Sequence, residues 1–366
     1  MKRFLFKEVD NSALILFRIV WGFLLMAEGW GAIITGWVFR VFVEPSFTFT
    51  WYGFEWTRIL LGEFMYIPYL IMGLCGLFIM IGYRFRLSST LFAILWGLVF
   101  FMQKSEYNNH YYLVLLICMA MPFTMASSYM SLDSKRKPTI KSLSCPNWNV
   151  VLLPFMMFLV YFFGAIAKIY PDWLQAKPIA LWFSGKEDYP ILGSIMVKTW
   201  FHYFISYSGI LFDLLIIPLL MFKQTRKWAF VSTLFFHLFN AAIFQIGIFP
   251  FLGLSFAMFF WPSKQIGKWF LKKSAFYEST DIDIKPIKWL NAKFYLIIAF
   301  ALFQVVTPIR HWAIPGDVLW TEEGHRLSWR MMLRSKSGYG TIFIEENNKR
   351  TVINPGDYLT KNQIPM

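Results

Sequence analysis

The sequence predicts an all-α polytopic membrane protein, about nine transmembrane helices followed by a small strand-rich C-terminal extramembrane tail. Three observations carry that prediction. Hydrophobic residues make up 57% of the 366, charged residues only 15%, and the mean hydropathy of +0.49 is too apolar for an ordinary soluble domain. Apolar runs of near-spanning length recur along the chain. The basic residues fall in alternate connections between those runs.

The runs, taken in order, are Ala13 to Val38, Met65 to Ile81, Leu87 to Met102, Tyr111 to Met125, Val150 to Ile169, Tyr207 to Phe222, Trp228 to Phe244, Phe249 to Trp261 and Ala292 to Ile309. The start MKRFLFKEVD is basic, but the apolar stretch behind it is long, carries Arg18 and Glu28 and lacks a small-residue cleavage site. It reads as a first membrane helix rather than a removed signal peptide.

Loop charge fixes an expected orientation. Lys2, Arg3 and Lys7 precede the first run; Arg84 and Arg86 separate the second from the third; Lys135, Arg136, Lys137 and Lys141 follow the fourth. Lys223, Arg226 and Lys227 precede the seventh, and Lys264, Lys268, Lys272, Lys273, Lys285, Lys288 and Lys293 precede the ninth. By the positive-inside rule these connections are cytoplasmic, so the N-terminus lies inside and the C-terminus outside. The net charge of +14 then needs no nucleic-acid partner. The same parity requires the short eighth run to cross. It also puts QKSEYNNH and the end of the Lys168 helix on one outer face.

The segment from Tyr170 to Ser206 is mixed and aromatic, as expected of an interfacial or re-entrant piece roofing a cavity. After Ile309 the chain turns polar, with the alternating run TIFIE and a turn at ENNK. Residues 1–309 are expected to form the membrane domain and 310–366 a small exported β-rich tail. Cys75, Cys118 and Cys145 have no disulfide or zinc-ligand spacing, so no metal site is expected. A glycine-rich phosphate loop and a G-x-S-x-G elbow are also missing, which leaves nucleotide-driven transport and serine hydrolysis without support.

Chemistry must then come from polar groups at membrane depth, which are costly and tend to face a bundle interior or a wet cavity. The candidates are Arg18, Glu28, His110, Lys168, His202, Asp213 and His237. Lys168, in YFFGAIAKIYPDW, has two open readings. It snorkels its charge toward the headgroups, or it sits in a low-dielectric pocket as a free-amine base, which an arginine cannot be. His110 follows Asn108 and Asn109 at the start of the fourth run. One asparagine there can cap the helix, and the imidazole is either an interfacial ring or a group that orients substrate and moves a proton. His237 and Asn240 share one helical face, which suits interhelical hydrogen bonding as well as catalysis. Asp213 reads as a counter-ion for one of these cations.

Three stretches, EYNNHYYL at Glu106 to Leu113, YFFGAIAKIYPDW at Tyr161 to Trp173 and GHRLSWRMMLRSKS at Gly324 to Ser337, resemble the vitamin K-dependent gamma-carboxylases. FFHLFNAAIFQIGIFPF at Phe235 to Phe251 and the GILFDLL run around Asp213 resemble them in the same order, so the likeness spans most of a chain of HTTM type. The resemblance implies an enzyme that uses a reduced vitamin K or menaquinol, with O2 and CO2, to carboxylate glutamate side chains of a peptide or protein while the quinol becomes its epoxide. It implies Lys168 as the catalytic base, His110 as a group orienting intermediates, and His237 as a further functional histidine. Asn108, Asn109, Trp329, Met331 and Met332 become candidate substrate contacts. Arg334, standing where the animal enzymes carry histidine, becomes a bidentate partner for the glutamate carboxylate. The animal enzymes continue into a larger luminal domain that holds a propeptide. The expectation here is therefore a microbial relative in a bacterial inner membrane, facing the periplasm with its C-terminus and taking another acceptor. Quinol epoxidation without carboxylation, and a transporter or lipid-binding module whose buried ions line a pathway, are the competing readings.

Overall fold

The computed structural model describes residues 1–244, 246–278, 290–331, 333, 341–346, 349–360 and 363. Each of the nine apolar runs is a helix: α1 (Ser12–Ile34), α2 (Tyr66–Ile81), α3 (Phe85–Met102), α4 (Asn109–Ala120), α5 (Trp148–Ala167), α6 (Thr199–Met221), α7 (Arg226–Ile243), α8 (Phe249–Ala257) and α9 (Leu290–Ile309). Six of them are long and apolar enough to cross a bilayer by themselves, counting the helical turns that extend α2 and α9, whereas α4 and α8 are shorter. The remaining one, α7, is 18 residues long but more polar, because it opens on Arg226 and Lys227 and carries Thr233, His237 and Asn240 further along. Helices are favoured at this depth because they satisfy every backbone N–H and C=O internally.

The helix α6 starts eight residues before the sequence predicts. Residues 199–206, TWFHYFIS, alternate inward and outward at helical spacing. Phe201 and Ser206 are buried while Trp200, Tyr203 and Phe204 are exposed. That amphipathic stretch extends the helix instead of lying flat. What remains of the expected roof is a set of short helices, Pro171–Leu174, Lys177–Phe183 and Gly193–Met196. His202 is held by the carbonyl of Met196 at 2.7 Å.

By internal contacts the chain forms two compact units. The first comprises Met1–Val20, Asn108–His110 and Thr124–Ser335. In it α5 packs on α6 and α8, and α7 packs on both α6 and α8. A small antiparallel pair, β1 (Glu8–Asp10) with β2 (Ser144–Pro146), sets Val9 opposite Cys145. The side chain of Lys273, which the sequence reading counts as a loop charge, is fully buried here. Its ammonium pairs with Asp10 at 2.9 Å and also donates to Asn11 and Ser12, so it fastens the strand to α1. Lys285 and Lys288 lie outside the described residues. Arg18, buried on α1, donates to the carbonyls of Ala126, Tyr129 and Met130. It satisfies a turn whose Met130 has a φ of 44°.

The second unit comprises Trp21–Tyr107, Tyr111–Phe123 and Lys336–Met366. The later part of α1 belongs to it, and there α1 and α2 approach backbone to backbone. A Cβ built at Gly29 would lie 2.7 Å from the amide nitrogen of Gly73, and one at Gly76 would collide with the backbone at Met26. Small residues at such crossings let dispersion between backbones act without a hydrophobic driving force. The tail contains a hairpin of β3 (Ile342–Glu346) and β4 (Lys349–Ile353), with Ile342 opposite Ile353 and Glu346 opposite Lys349. The Arg350 guanidinium covers the Phe343 ring at 3.9 Å. The turn residues Asn347 and Asn348 lie outside the described residues.

Candidate functional site

Lys168 is the residue on which α5 ends, still in helical conformation at φ −84° and ψ −9°. Tyr161, Gly164 and Lys168 are spaced by three and four residues, so they line one face. That face meets α6 at Asp213. The Lys168 ammonium forms an ion pair with Asp213 Oδ2, the two side chains being 12% and 5% exposed. The ammonium thus meets a carboxylate inside the first unit rather than open solvent. The indole of Trp173 lies 5.5 Å from the ammonium. That ring is fixed because its Nε1 donates to the carbonyl of Ser206 at 3.1 Å, while the Ser206 hydroxyl donates back to the carbonyl of Trp173 at 2.6 Å.

Gly164 leaves room for no more than a methyl group beside this pair. A Cβ there would stand 3.5 Å from Asp213 Oδ2, 3.7 Å from the Met331 methyl and 3.9 Å from the Trp329 carbonyl. Trp329 is buried at 1% exposure with a φ of 58°, a left-handed conformation that a bulky residue adopts only when its surroundings fix it. Several contacts hold the segment. Asn109 Nδ2 donates to the carbonyl of Arg330 at 3.0 Å, and the Tyr170 hydroxyl donates to the carbonyl of Leu333. Arg330 reaches His311 Nε2 at 3.4 Å, and His311 Nδ1 lies 2.6 Å from the carbonyl of Pro308. Those two contacts agree on one tautomer, with the proton on Nδ1 and Nε2 accepting.

His237, fully buried on α7, shares a 2.8 Å hydrogen bond between its Nε2 and the Tyr161 hydroxyl. Its Nδ1 has no partner among the described residues. Gly253 of α8 lies flat against the imidazole, where any side chain would overlap it. His110 stacks on Phe249 with centroids 3.9 Å apart, and Phe249 lies edge-on to His237 at 6.1 Å. Both histidines therefore contact one aromatic ring at the start of α8.

Lys168, His110, His237, Asn109, Trp329 and Met331 thus all fall within the first unit. Asn108, directly before α4, belongs to it as well and is partly exposed. Met332 and Arg334 lie outside the described residues. Sequence reasoning did not single out Tyr161 or Trp173. The spacing of Tyr161 from Lys168, two helical turns, is the signal that points to the first of them. Among the described residues no group of three or more His, Cys, Asp or Glu side chains is arranged to hold a metal ion.

A buried lysine–carboxylate pair beside tryptophan and methionine, in a chain with six helices long and apolar enough to cross a bilayer, defines a class: an integral membrane protein with an ion pair inside its helical domain. Comparison with known families sharpens this. The HTTM domain model matches residues 6–264, and the model of the vitamin K-dependent gamma-carboxylase lumenal domain matches residues 289–366. The chain belongs to the vitamin K-dependent gamma-carboxylase family. That membership implies reduced vitamin K, O2 and CO2 as the family's co-substrates. No solved structure matches the chain.

Proposed function

We propose that the protein carboxylates glutamate side chains at the expense of a reduced vitamin K or menaquinol, which leaves as the epoxide. The observation that carries this reading is the buried Lys168–Asp213 pair, on the helix face that Tyr161 and Gly164 share. The chemistry of the side chains suits a quinol. A phenolic hydroxyl finds an amine and a carboxylate, an aromatic ring finds Trp173, Trp329 and Met331, and the free Nδ1 of His237 offers a further polar contact.

When bound, the quinol and O2 supply a base strong enough to remove the glutamate γ-proton, a basicity beyond any side chain. The work left to the protein is proton handling. Lys168 Nζ and Asp213 Oδ2 hold one proton between them as ammonium and carboxylate, so the pair is neutral overall and tolerable in an apolar wall. It can accept one further proton from a phenol, ending as ammonium and carboxylic acid. The basic capacity belongs to the pair and not to the amine alone. In this reading Asp213 also fixes the direction of the Lys168 side chain, and Trp173 screens it from water.

His110 and Asn109 orient the reacting groups, with Asn108 beside them, and His237 with Tyr161 provides a second donor–acceptor point. Trp329, Met331 and Met332 form the apolar contact, and Arg334 binds the glutamate carboxylate. The HTTM match and the apolar helices support an integral membrane protein. The alternating basic connections support a cytoplasmic N-terminus and a C-terminal tail on the opposite, exported side; in this proposal the membrane is a bacterial inner membrane, residues 1–309 are the membrane domain and 310–366 the tail.

The test is a purified preparation supplied with reduced menaquinone or vitamin K, O2, labelled CO2 and a glutamate peptide, followed for epoxide and fixed label together. Both products are expected. Epoxide without label would remove the carboxylase half of the proposal, and neither product would favour a transporter or a binding module.

A further inference from the structure

The short helix Ser263–Leu271, SKQIGKWFL, belongs to the first unit and takes no part in the site around Lys168. At nine residues it is too short to cross a bilayer. Its inner face is apolar. Ile266 and Leu271 are buried in one cluster with Ala13, Ile15 and Leu16 of α1, and a Cβ built at Gly267 would lie 3.1 Å from Ser12 Oγ. Ser12 opens α1, the first of the helices long and apolar enough to span. That contact fixes the short helix at the level where α1 enters the membrane.

Its outer surface carries two stripes. Lys264, Lys268 and Lys272 recur every four residues and line the first. Lys264 pairs with Glu278 at 2.7 Å, whereas Lys268 and Lys272 are exposed and, among the described residues, face no carboxylate within ion-pair distance. Lys272 is turned outward by a left-handed φ of 46°, where the Lys273 amide closes the helix on the carbonyl of Gly267 at 2.9 Å. The second stripe is aromatic, with Trp269 62% and Phe270 55% exposed. Trp261 lies 6.0 Å from Trp269 and edge-on to Phe230 of α7 at 5.6 Å, so the rings continue onto α7. One turn before Phe230, Lys227 is exposed as well.

The two stripes ask for different surroundings. Large exposed rings are favoured at the headgroup level of a bilayer, where their apolar bodies leave water. A basic stripe beside an apolar one is the pattern of a helix that lies in an anionic interface. A zwitterionic surface would take the rings and leave the lysines without counter-charge. A free anion would pair the lysines and leave the rings in water. The headgroup layer of an anionic phospholipid satisfies both stripes at once.

We infer that the helix Ser263–Leu271 lies in the membrane interface and binds anionic phospholipid headgroups through Lys268 and Lys272, with Trp269 and Phe270 inserted beside them. The inference rests on the chain being an integral membrane protein and not on the carboxylase reading.

The experiment purifies the full chain from maltoside micelles doped with equal amounts of phosphatidylglycerol and phosphatidylcholine, and measures the retained lipids by mass spectrometry. Phosphatidylglycerol is expected in preference. Each lysine beside an anionic surface contributes about fivefold, so Lys268→Gln together with Lys272→Gln lowers that preference by at least about fivefold. Trp269→Gln keeps both lysines and lowers it as well. Lys135→Gln together with Lys137→Gln is the control. It removes two exposed lysines at the helix Leu132–Arg136, which contains no aromatic residue, and leaves the preference unchanged. No preference for phosphatidylglycerol, a fall short of that expected, an equal fall in the control or an unchanged preference in Trp269→Gln overturns the inference. Loss of the preference to inorganic phosphate at the lipid's own concentration also overturns it, by assigning the lysines to a free anion.

Discussion

Breaking the Lys168–Asp213 pair from one side strands a charge, and the geometry lets the cost be worked out. Removing one partner of a fully buried ion pair costs about 3–5 kcal/mol, because the remaining charge keeps its desolvation penalty and loses its compensation. Lys168 retains 12% exposure and Asp213 5%, so some solvent relief is available. For Lys168→Met or Asp213→Asn alone, roughly 2–4 kcal/mol is then the reasoned loss. At 1.4 kcal/mol per decade this is about a 30- to 700-fold shift in the folded-to-unfolded ratio. With both changes the charges go together, and the loss should fall well below the sum of the singles. The assay is a double-mutant cycle on unfolding of the maltoside-solubilised protein. Loss values that add to within about 0.5 kcal/mol would show that the two groups do not interact and would refute the pairing.

Three further outcomes follow from the geometry. Tyr161→Phe removes the 2.8 Å bond to His237 and leaves a buried imidazole without a partner on either nitrogen. A stability loss of about 1–3 kcal/mol is expected, and unchanged unfolding would contradict it. Gly29→Ala places a methyl 2.7 Å from the amide of Gly73, forcing α1 and α2 apart at a cost of about 1–3 kcal/mol. Gly31→Ala meets nothing within 4 Å and should be neutral or slightly stabilising by helix propensity, which makes it the matched control. Burial raises the carboxyl of Glu106, in the connection between α3 and α4, above the usual carboxylate range, and Arg40 only partly offsets this. A raised value means that the folded state binds the proton more tightly, so stability should fall as the pH rises from the ordinary carboxylate value through the folded one. Glu106→Gln should flatten that fall, as unfolding followed across mildly acidic pH would reveal.

The helices were legible because a bilayer imposes one coarse rule, about 20 apolar residues per crossing, which six of the nine helices meet while α4, α7 and α8 fall short of it in length or hydropathy. Charge bookkeeping was less dependable at the level of single residues. Lys273 belongs to a basic loop by sequence, yet it lies buried against Asp10, a contact over 263 positions that no local pattern announces. The start of α6 was misplaced because aromatic residues at alternating depth read equally as an interfacial segment and as a helix with one dry face. In the site, Lys168 stood out as a charge where none was required. Its pairing with Asp213 was legible only as a counter-ion in search of a cation, since nothing in the sequence sets the register of α5 against α6. Tyr161 was hidden for the opposite reason. A tyrosine in an apolar run is ordinary, and only its two-turn spacing from the lysine separates it from its aromatic neighbours.

The central claim is that Lys168, paired with Asp213, handles the proton of a reduced quinol. It is tested most directly by measuring quinone epoxide and fixed CO2 made by the purified protein and by Lys168→Ala at matched expression. Both products from the unsubstituted protein and neither from the variant is the predicted result. Full epoxide formation by Lys168→Ala, with the protein intact in the membrane, would contradict it.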